Sequence, residues 1–506
     1  MEDNNNVKEP TVNIDTASIQ KKIASGQFNQ ALVELQLVFD RDASNPDANY
    51  MAAVCYRYQC NYDKAQQYLD ALKDLALDKG RVYQEQGHLY RVQGLTSLAL
   101  VAYQTACQLN PALIASWKAQ AELFTSEGNV AAAKQAHMQL QRLQSLPNIL
   151  ISVTDLIEQG KLFKAEVLCK KFLQQSPTHG EAMRLLADIA LRLGVMDEAE
   201  FLLESAIAFN ANDARLKMDY IQVLRRRQKF EASLVTAQEL AEINSENPQF
   251  QSVYAISKLQ IGAYAEAVAL FDNVLALMPG DAITYTSRGH ALKTWGKQTE
   301  AINSYQAAIK NNPSYGEAYY ALSNLKTYKF SDVEIESMVV LEENKGLTPA
   351  NGMYLYFALG KAFEDRNDWN LSFDYYQKGN RVKKLQSSYD AEKMTEELLS
   401  QRRFFNTDNI ERLGHDGYPD AAPIFIVGLP RAGSTLLEQI LSSHSMVDGT
   451  LELPHMLSIA QKLRRKGRQK NSDGYPELIA GLSSEERYAL GKQYIDETQI
   501  HRGDAP

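Results

Sequence analysis

The sequence predicts a mostly α-helical protein, in which a solenoid of helical hairpins is followed by the beginning of an α/β domain. Marker residues recur every 34 positions over more than half of the chain, and a small residue stands five positions after each of them. Further along, the apolar run 424–427 directly precedes a glycine-rich turn and an amphipathic stretch. The first two patterns are typical of stacked hairpins, and the third is typical of a strand, turn and helix unit.

Composition agrees with a protein that has no membrane span. Of the 506 residues, 45% are hydrophobic and 23% are charged, and no run of 18 apolar residues occurs. The net charge of −9 disfavours general nucleic-acid binding, because phosphate neutralisation requires a basic face. Residues 1–10 are polar and acidic, whereas a signal peptide has a basic stretch followed by an apolar one. We therefore predict a disordered tail over residues 1–16 and a cytoplasmic location.

Four cysteines fall inside helical patterns and lack the paired spacing of metal ligands: Cys55, Cys60, Cys107 and Cys169. This usage predicts small buried thiols in a reducing compartment, with neither a disulfide nor a metal site.

The repeat is defined by nine marker positions. Successive gaps are 34 residues, except for one gap of 32, between Gly26, Cys60, Gly94, Gly128, Gly160, Gly194, Gln228, Gly262 and Gly296. Each marker is followed at the fifth position by alanine, except that Ser233 follows Gln228, which we interpret as a minor departure. Prolines at the seventeenth position end helices after four of the markers: Pro111, Pro177, Pro279 and Pro313. The predicted unit is helix, glycine turn, helix and proline turn.

This unit resembles the tetratricopeptide repeat family, with a match that spans residues 17–325. Between the markers the apolar residues keep helical spacing, so each hairpin has a face that only a stacked neighbour can bury. The resemblance implies a superhelix with a long concave surface that binds a peptide or partner protein.

The repeat register is interrupted after Pro313. Residues 326–405 are predicted to hold one remodelled repeat, a further unit displaced by three residues near Gly360 and Asn367, and a connector helix over 388–404. The following stretch, 406–423, is rich in Asp, Gly and Pro and reads as a loop. We place a domain boundary there and a second domain over residues 421–506.

The second domain begins with a predicted phosphate cradle. The run 424–427 is β-rich and fits a buried strand. It is followed by the turn Gly428–Gly433 and by a helix marked by apolar residues from Leu436 to Leu441. Successive backbone N–H groups and the positive end of such a helix converge on an anion. Ser434 stands where the lysine of a nucleotide-binding P-loop would be, and the positive charge has moved to Arg431.

The residues from Pro430 to Leu436 resemble the 5′-phosphosulfate loop of the sulfotransferases, whose arginine variants read Pro-Arg-Ser-Gly-Thr-Thr-Leu. The resemblance implies 3′-phosphoadenosine 5′-phosphosulfate as cosubstrate and no metal. It assigns the binding of this nucleotide to the sequence Arg431, Ala432, Gly433, Ser434 and Thr435. Arg431 is also assigned a catalytic role, neutralising charge on the transferred group and its leaving phosphate.

Glu452 is the candidate base that takes the proton of the acceptor hydroxyl. In the tyrosylprotein sulfotransferases, a histidine, an apolar turn and a Gly-Glu-Glu run follow the loop helix and supply a catalytic glutamate. His444, Val447 and Glu452 align with that histidine, valine and second glutamate. Thr450-Leu451 stands where the family has Gly-Glu, so Glu452 is the only carboxylate of the motif in this chain.

A basic run follows the candidate base, formed by Lys462, Arg464, Arg465, Lys466, Arg468 and Lys470. Such a run attracts an acidic acceptor peptide or a nucleotide 3′-phosphate, or else it is a solvated helix face. The triplet 225–227 in the seventh repeat has the same two interpretations.

The order of the segments resembles bacterial tetratricopeptide-repeat sulfotransferases, in a form that is truncated at its C-terminus, since one strand and two helices cannot bury the core of a parallel sheet. The resemblance implies sulfuryl transfer to a hydroxyl, with a protein tyrosine as the acceptor. The alternative is a protein-interaction scaffold with an inactive sulfotransferase remnant. A kinase or NTPase is disfavoured, because Ser434 replaces the P-loop lysine.

Overall fold

In the computed structural model, residues 16–72, 79–325, 327–343, 347–387, 389–450, 452–469 and 475–503 are described. The predicted tail therefore lies outside the described residues, apart from residue 16. Within these ranges all regular elements are helical and no strand is formed. No helix found there is both long and apolar enough to cross a membrane. The chain divides into two compact units, residues 1–192 and residues 193–506.

The first unit consists of hairpins in which neighbouring helices pack side by side. Its helices are α1 (Thr16–Ala24), α2 (Phe28–Phe39), α3 (Pro46–Tyr58), α4 (Tyr62–Leu72), α5 (Lys79–Val92), α6 (Thr96–Leu109), α7 (Ile114–Ser126), α8 (Val130–Ser145), α9 (Asn148–Glu158), α10 (Leu162–Gln175) and α11 (Gly180–Arg192).

The second unit continues the hairpins and then carries the C-terminal segment. Its helices are α12 (Met196–Phe209), α13 (Ala214–Arg226), α14 (Phe230–Ile243), α15 (Pro248–Gln260), α16 (Tyr264–Leu277), α17 (Ala282–Thr294), α18 (Gln298–Asn311), α19 (Gly316–Ser323), α20 (Asp332–Glu343), α21 (Pro349–Asp365), α22 (Trp369–Gln386), α23 (Ala391–Phe404), α24 (Thr407–Leu413), α25 (Ser434–Ser442), α26 (His455–Gln469) and α27 (Ser484–Thr498). Two short 3₁₀ helices cover Glu477–Gly481 and Gln499–His501.

The marker residues have a common backbone conformation. All nine have positive φ, from 59° at Cys60 and Gln228 to 83° at Gly296, and Asn367 of the displaced unit has a φ of 61°. This left-handed conformation ends one helix and reverses the chain into the next, and glycine adopts it without strain. The nine turns of the 34-residue pattern, and the turn of the displaced unit, therefore share one left-handed conformation.

The small residues five positions after the markers are buried as predicted. Ala31, Ala99, Ser233 and Ala301 have no exposed surface. A second close approach involves a glycine on the first helix and a tyrosine on the second. A Cβ built at Gly289 would lie 2.4 Å from the ring of Tyr305. These small side chains let the two helices of a hairpin approach closely, which explains the spacing of the sequence pattern.

The interruption of the register corresponds to an altered hairpin. Helix α19 has only 8 residues, and α20 follows it before the regular pair α21 and α22 resumes. Side chains of α20 join the same apolar core as the neighbouring hairpins, with Ile335 and Met338 buried against Leu355 and Leu359. The remodelled repeat is thus packed into the solenoid.

Two local expectations need correction. The stretch 406–423 is not wholly a loop, because α24 forms within it. The helix is capped by Asn406, whose side chain accepts a hydrogen bond from the backbone N–H of Asn409.

Of the four thiols, Cys55, Cys107 and Cys169 are buried, but Cys60 is exposed because it occupies a turn. Burial raises the pKa of Cys55 to about 11 and that of Cys169 to about 12.

Replacing Gly289 by alanine is expected to destabilise the second unit by about 1–3 kcal/mol, because the added methyl group overlaps the Tyr305 ring. Urea unfolding followed by circular dichroism measures this change. Gly280→Ala is the matched control, since a Cβ there meets open space. Equal urea midpoints for Gly289→Ala and Gly280→Ala would contradict the close approach of Gly289 to the Tyr305 ring.

Candidate functional site

Residues 424–427, which precede the turn Gly428–Gly433 (the phosphate turn), form no regular element. The predicted strand at 424–427 is therefore not present among the described residues: Val427 is 90% exposed and Leu429 is 81% exposed. A strand is stabilised by the backbone groups of a neighbouring strand, and no such neighbour is described. One side chain of the run has a ring contact, since Phe425 lies 5.7 Å from Tyr494 of α27.

The phosphate turn itself has the geometry of an anion cradle. Arg431 and Gly433 are both left-handed, with φ of 67° and 92°. The backbone of Ala432, between them, donates a hydrogen bond to the carbonyl of Leu429 at 3.1 Å. Helix α25 then begins at Ser434. Left-handed residues alternating with other conformations turn successive N–H groups toward one side, where they bind anions.

The first N–H groups of α25 are available to a ligand. Gly433 occupies the N-cap position and has no side chain to accept from them. In the part of the chain that is described, the hydroxyls of Ser434 and Thr435 make no hydrogen bond to protein, and Arg431 has no ion pair. All three residues are exposed. The turn thus presents backbone N–H groups, two hydroxyls and one guanidinium, a donor set that suits a phosphate or sulfate group.

The turn after α25 is shaped by His444. Its Nδ1 accepts a hydrogen bond from the backbone of Met446 at 3.2 Å, and its carbonyl accepts from the backbone of Val447 at 3.0 Å. A Cβ at Gly449 would lie 3.0 Å from Ser442 of α25, so the chain passes close to that helix. His444 therefore acts in the local turn that leads to Glu452.

Glu452 is exposed, and its backbone is held by the solenoid. The Gln228 side chain donates a hydrogen bond through Nε2 to the carbonyl oxygen of Glu452 at 2.9 Å. Among the described residues, no hydrogen bond or ion pair joins Glu452 to Arg431. The two candidate catalytic residues are therefore on the same segment without direct contact, one in the phosphate turn and one against the seventh repeat.

The C-terminal segment has a small core of its own. Ile459 and Leu463 of α26 pack with Leu482 and with partly buried side chains of α27. The chain before the phosphate turn is attached to α27 through an ion pair between Asp416 and Arg487. These contacts hold α26, α27 and the entry to the turn together without a sheet.

The basic run is largely used within the chain. Lys462 and Arg465 form ion pairs with Asp197 and Glu198, which lie in the first turn of α12. Lys466 pairs with Glu486 at 2.8 Å. The part of the run at Lys470 lies outside the described residues. Lys462, Arg465 and Lys466 therefore attach α26 to α12 and α27, a use that neither interpretation of the run had predicted.

A second group of charged side chains, around Arg227, also joins the solenoid to α27. Arg227 is buried and pairs with Glu200 at 2.6 Å and with Glu497 of α27 at 3.0 Å. Lys229 also pairs with Glu200, at 2.7 Å. Of the arginine triplet in the seventh repeat, Arg227 thus has a structural partner from the solenoid and another from the C-terminal segment.

Two histidines lie next to these charges. His455 is 2% exposed, and its ring centroid is 5.8 Å from that of His501. Among the residues that the structure describes, neither ring nitrogen of His455 has a hydrogen-bond partner, and Nε2 of His501 also lacks one there. Burial lowers the pKa of His455 below 6.5, and the positive charges of Arg227 and Lys229 act in the same direction, although Glu497 opposes them. Both histidines are therefore favoured in the neutral form.

Gln228 and His455 are functional candidates that sequence reasoning did not identify, and the two ion pairs of Arg227 match neither interpretation of the triplet 225–227. The available signal was the departure at the seventh marker, where Gln228 and Ser233 replace glycine and alanine. We interpreted Ser233 as a minor departure and gave Gln228 no separate role, but the Gln228 side chain donates a hydrogen bond to the carbonyl of Glu452.

Four ranges of the chain match known families. Residues 423–503 match the Sulfotransferase family. Residues 22–86 and 156–218 match a Tetratricopeptide repeat family, and residues 282–315 match another. The first range contains the phosphate turn and Glu452, and the others lie within the hairpins.

Individual relatives are distant. An uncharacterized protein of Aquifex aeolicus (strain VF5) is 24% identical over 378 residues, which cover 74% of this chain and 46% of that protein. The inactive TPR repeat-containing thioredoxin TTL3 of Arabidopsis thaliana is 29% identical over 82 residues, 16% of this chain and 12% of that protein. The chain spans less than half the length of these curated relatives. A solved tetratricopeptide repeat protein from Parabacteroides merdae is 14% identical, covers 63% of this chain and 96% of its own, and has a TM-score of 0.34.

The attachment of the C-terminal segment is expected to weaken as the pH falls below 6.5. His455 has a lowered pKa when buried, so the stabilisation is complete above 6.5 and is lost as the pH falls toward that lowered pKa. Limited proteolysis at about pH 7.5 and about pH 5.5 is expected to cleave the segment faster at the lower pH. His455→Gln should reduce this difference, whereas the exposed control His137→Gln should preserve it. A pH dependence equal in both variants would exclude His455 as its source.

Proposed function

Since the chain is a tetratricopeptide repeat protein with a sulfotransferase-family segment at residues 423–503, we propose that it transfers a sulfuryl group to a hydroxyl acceptor. The donor in this proposal is 3′-phosphoadenosine 5′-phosphosulfate. The main support is the uncapped turn at Arg431–Ser434, which lies within the matched segment and offers donors alone to an anion.

The donor set of the turn fits this nucleotide. Backbone N–H groups from Gly433 to Thr435, with the hydroxyls of Ser434 and Thr435, would hold the 5′-phosphosulfate, while the N–H of Ala432 closes the turn on Leu429. The guanidinium of Arg431 would bind two of its oxygens and counter the negative charge that develops in transfer. The bound nucleotide supplies the activated sulfuryl group, whose bond to the 5′-phosphate breaks as the acceptor oxygen bonds to sulfur.

Glu452 is proposed to accept the proton of the attacking hydroxyl. Its carboxylate is exposed and has no partner among the described side chains, while its backbone is fixed through Gln228. A general base needs a side chain that is free to reach the acceptor and a backbone that is held in a fixed position. This arrangement supports Glu452 in that role, with a tyrosine hydroxyl as the proposed acceptor.

The repeats are proposed to bind the protein that carries the acceptor, or a partner. Tetratricopeptide hairpins cover most of the chain, and their side chains offer mixed aromatic and charged surfaces. In the second unit, Tyr320 lies 5.3 Å from Tyr354 and 6.2 Å from Phe357, and all three are half-buried. Partly exposed aromatic side chains of this kind are common in protein interfaces.

Arg431→Ala is expected to weaken binding of 3′-phosphoadenosine 5′-phosphate by about tenfold to a hundredfold, because a charge-assisted interaction is worth about 1.5–3 kcal/mol. Isothermal titration calorimetry measures the dissociation constants. Arg402→Ala, at an exposed arginine of α23, is the control and should bind as the wild type does. If the wild type binds no nucleotide, the sulfotransferase proposal fails and the scaffold alternative is favoured.

Glu452→Gln is expected to lower sulfuryl transfer to a tyrosine peptide by about 10²–10⁴-fold, the range for loss of a general base. Nucleotide binding should be unchanged, because the backbone that Gln228 holds is retained. Transfer of radiolabelled sulfate to the peptide measures the rate. Turnover equal to that of the wild type would refute the assignment of the base.

A further inference from the structure

The seventh repeat has a side chain where the repeat pattern has glycine. Gln228 keeps the left-handed conformation, with a φ of 59°, although a residue with a Cβ is disfavoured there. Its amide donates to the carbonyl of Glu452, 224 residues further along the chain. This hydrogen bond gives the substitution a use that glycine cannot provide.

Further contacts surround this hydrogen bond on the same face of the second unit. A Cβ at Gly194, the sixth marker, would lie 3.1 Å from the side chain of Gln461 in α26. Next to it, Asp197 and Glu198 pair with cations of α26. We call the set Gly194, Asp197, Glu198, Arg227 and Gln228 the docking edge.

The charges of the two surfaces are complementary. The carboxylates of the docking edge lie in the first turn of α12, where negative charge is favoured by the helix dipole. The helix α26 presents Lys462 and Arg465 to them, and Arg465 is only 10% exposed. Beside this contact, buried Arg227 reaches Glu497 of α27 at 3.0 Å. Ion pairs that are largely shielded from water depend strongly on both partners, so loss of one charge loosens the contact.

We propose that the docking edge is the surface to which the sulfotransferase segment, residues 423–503, attaches, and that Gln228 is a positioning residue for Glu452. The solenoid then has two uses: some hairpins bind a protein, while the turns of the sixth and seventh repeats hold the base. The positioning role depends on the proposed sulfuryl transfer, whereas the docking itself does not.

Hydrogen exchange measured by mass spectrometry over residues 444–456 tests the docking directly. Gln228→Gly removes the donor and restores the repeat pattern, and Gln228→Glu keeps the shape but has no amide donor. Both variants are expected to exchange about fivefold faster there, the effect of one ordinary hydrogen bond. Asn367→Gly is the matched control, because Asn367 is also a left-handed residue at a hairpin turn and its φ is 61°. It should leave exchange at 444–456 unchanged.

Kinetics separate positioning from simple stability. In both Gln228 variants, kcat for transfer should fall while the nucleotide dissociation constant stays unchanged. The unfolding midpoint of the hairpins should not fall in either variant, and it should rise slightly in Gln228→Gly, because glycine adopts the left-handed conformation without strain. Unaltered exchange in both variants would overturn the docking proposal. Faster exchange with unaltered kcat would overturn the positioning role alone. If the wild type transfers no sulfuryl group, the proposed function fails, and the exchange result still decides whether the segment is docked.

A charge exchange tests the ionic part of the docking edge. Glu198→Lys and Arg465→Glu, made singly, should each release α26 and increase exchange over residues 455–467. The double variant should restore protection, because the pair is re-formed with its signs reversed. Protection that stays lost in the double variant, with the hairpins still folded, would contradict the assigned contact.

Discussion

The structure depends on one backbone constraint, the left-handed residue at the turn of each hairpin. A single residue with positive φ ends the first helix and sends the chain back along it, so that small side chains such as Ala31 or Ala301 can be buried between the two helices. No hairpin of this size is stable by itself, and each one buries its apolar face against the next. The regular spacing of these turns therefore determines both the shape of each repeat and the surface that it offers to its neighbours.

Much of the solenoid could be predicted from the sequence, because its determinants are local. Turn residues, buried alanines and terminal prolines recur at fixed distances, and the displaced unit keeps the left-handed turn residue, Asn367, and a small buried residue, Ser372, five positions later. The strand at 424–427 could not be judged in the same way. Its composition is typical of a strand, but a strand also needs a neighbouring strand that pairs with its backbone N–H and C=O groups. The four residues alone do not indicate whether such a neighbour is present. The helix α24 was missed because a few polar residues with one capping asparagine resemble a loop.

The candidate site was predictable in part for the same reason. The turn from Arg431 to Thr435 is a continuous motif, and the structure gives it the left-handed residues and the uncapped helix start that an anion requires. The surroundings of Glu452 were not predictable, since its contact comes from Gln228, 224 residues away. The reason that one repeat has a different residue at a turn becomes clear only when the distant residue that it contacts is known. In a repeat protein, such departures are thus informative about long-range contacts.

The contact between Gln228 and Glu452 also has a consequence for the evolution of the chain. It closes a ring of 224 residues that contains the eighth and ninth repeats, the remodelled hairpin and the displaced unit. Gain or loss of a hairpin inside this ring would move one side of the contact by a full repeat and break it. Hairpins that precede the sixth repeat lie outside the ring and carry no such restriction. The number of hairpins can therefore change before the sixth repeat without breaking this contact, whereas a change between Gln228 and Glu452 would break it.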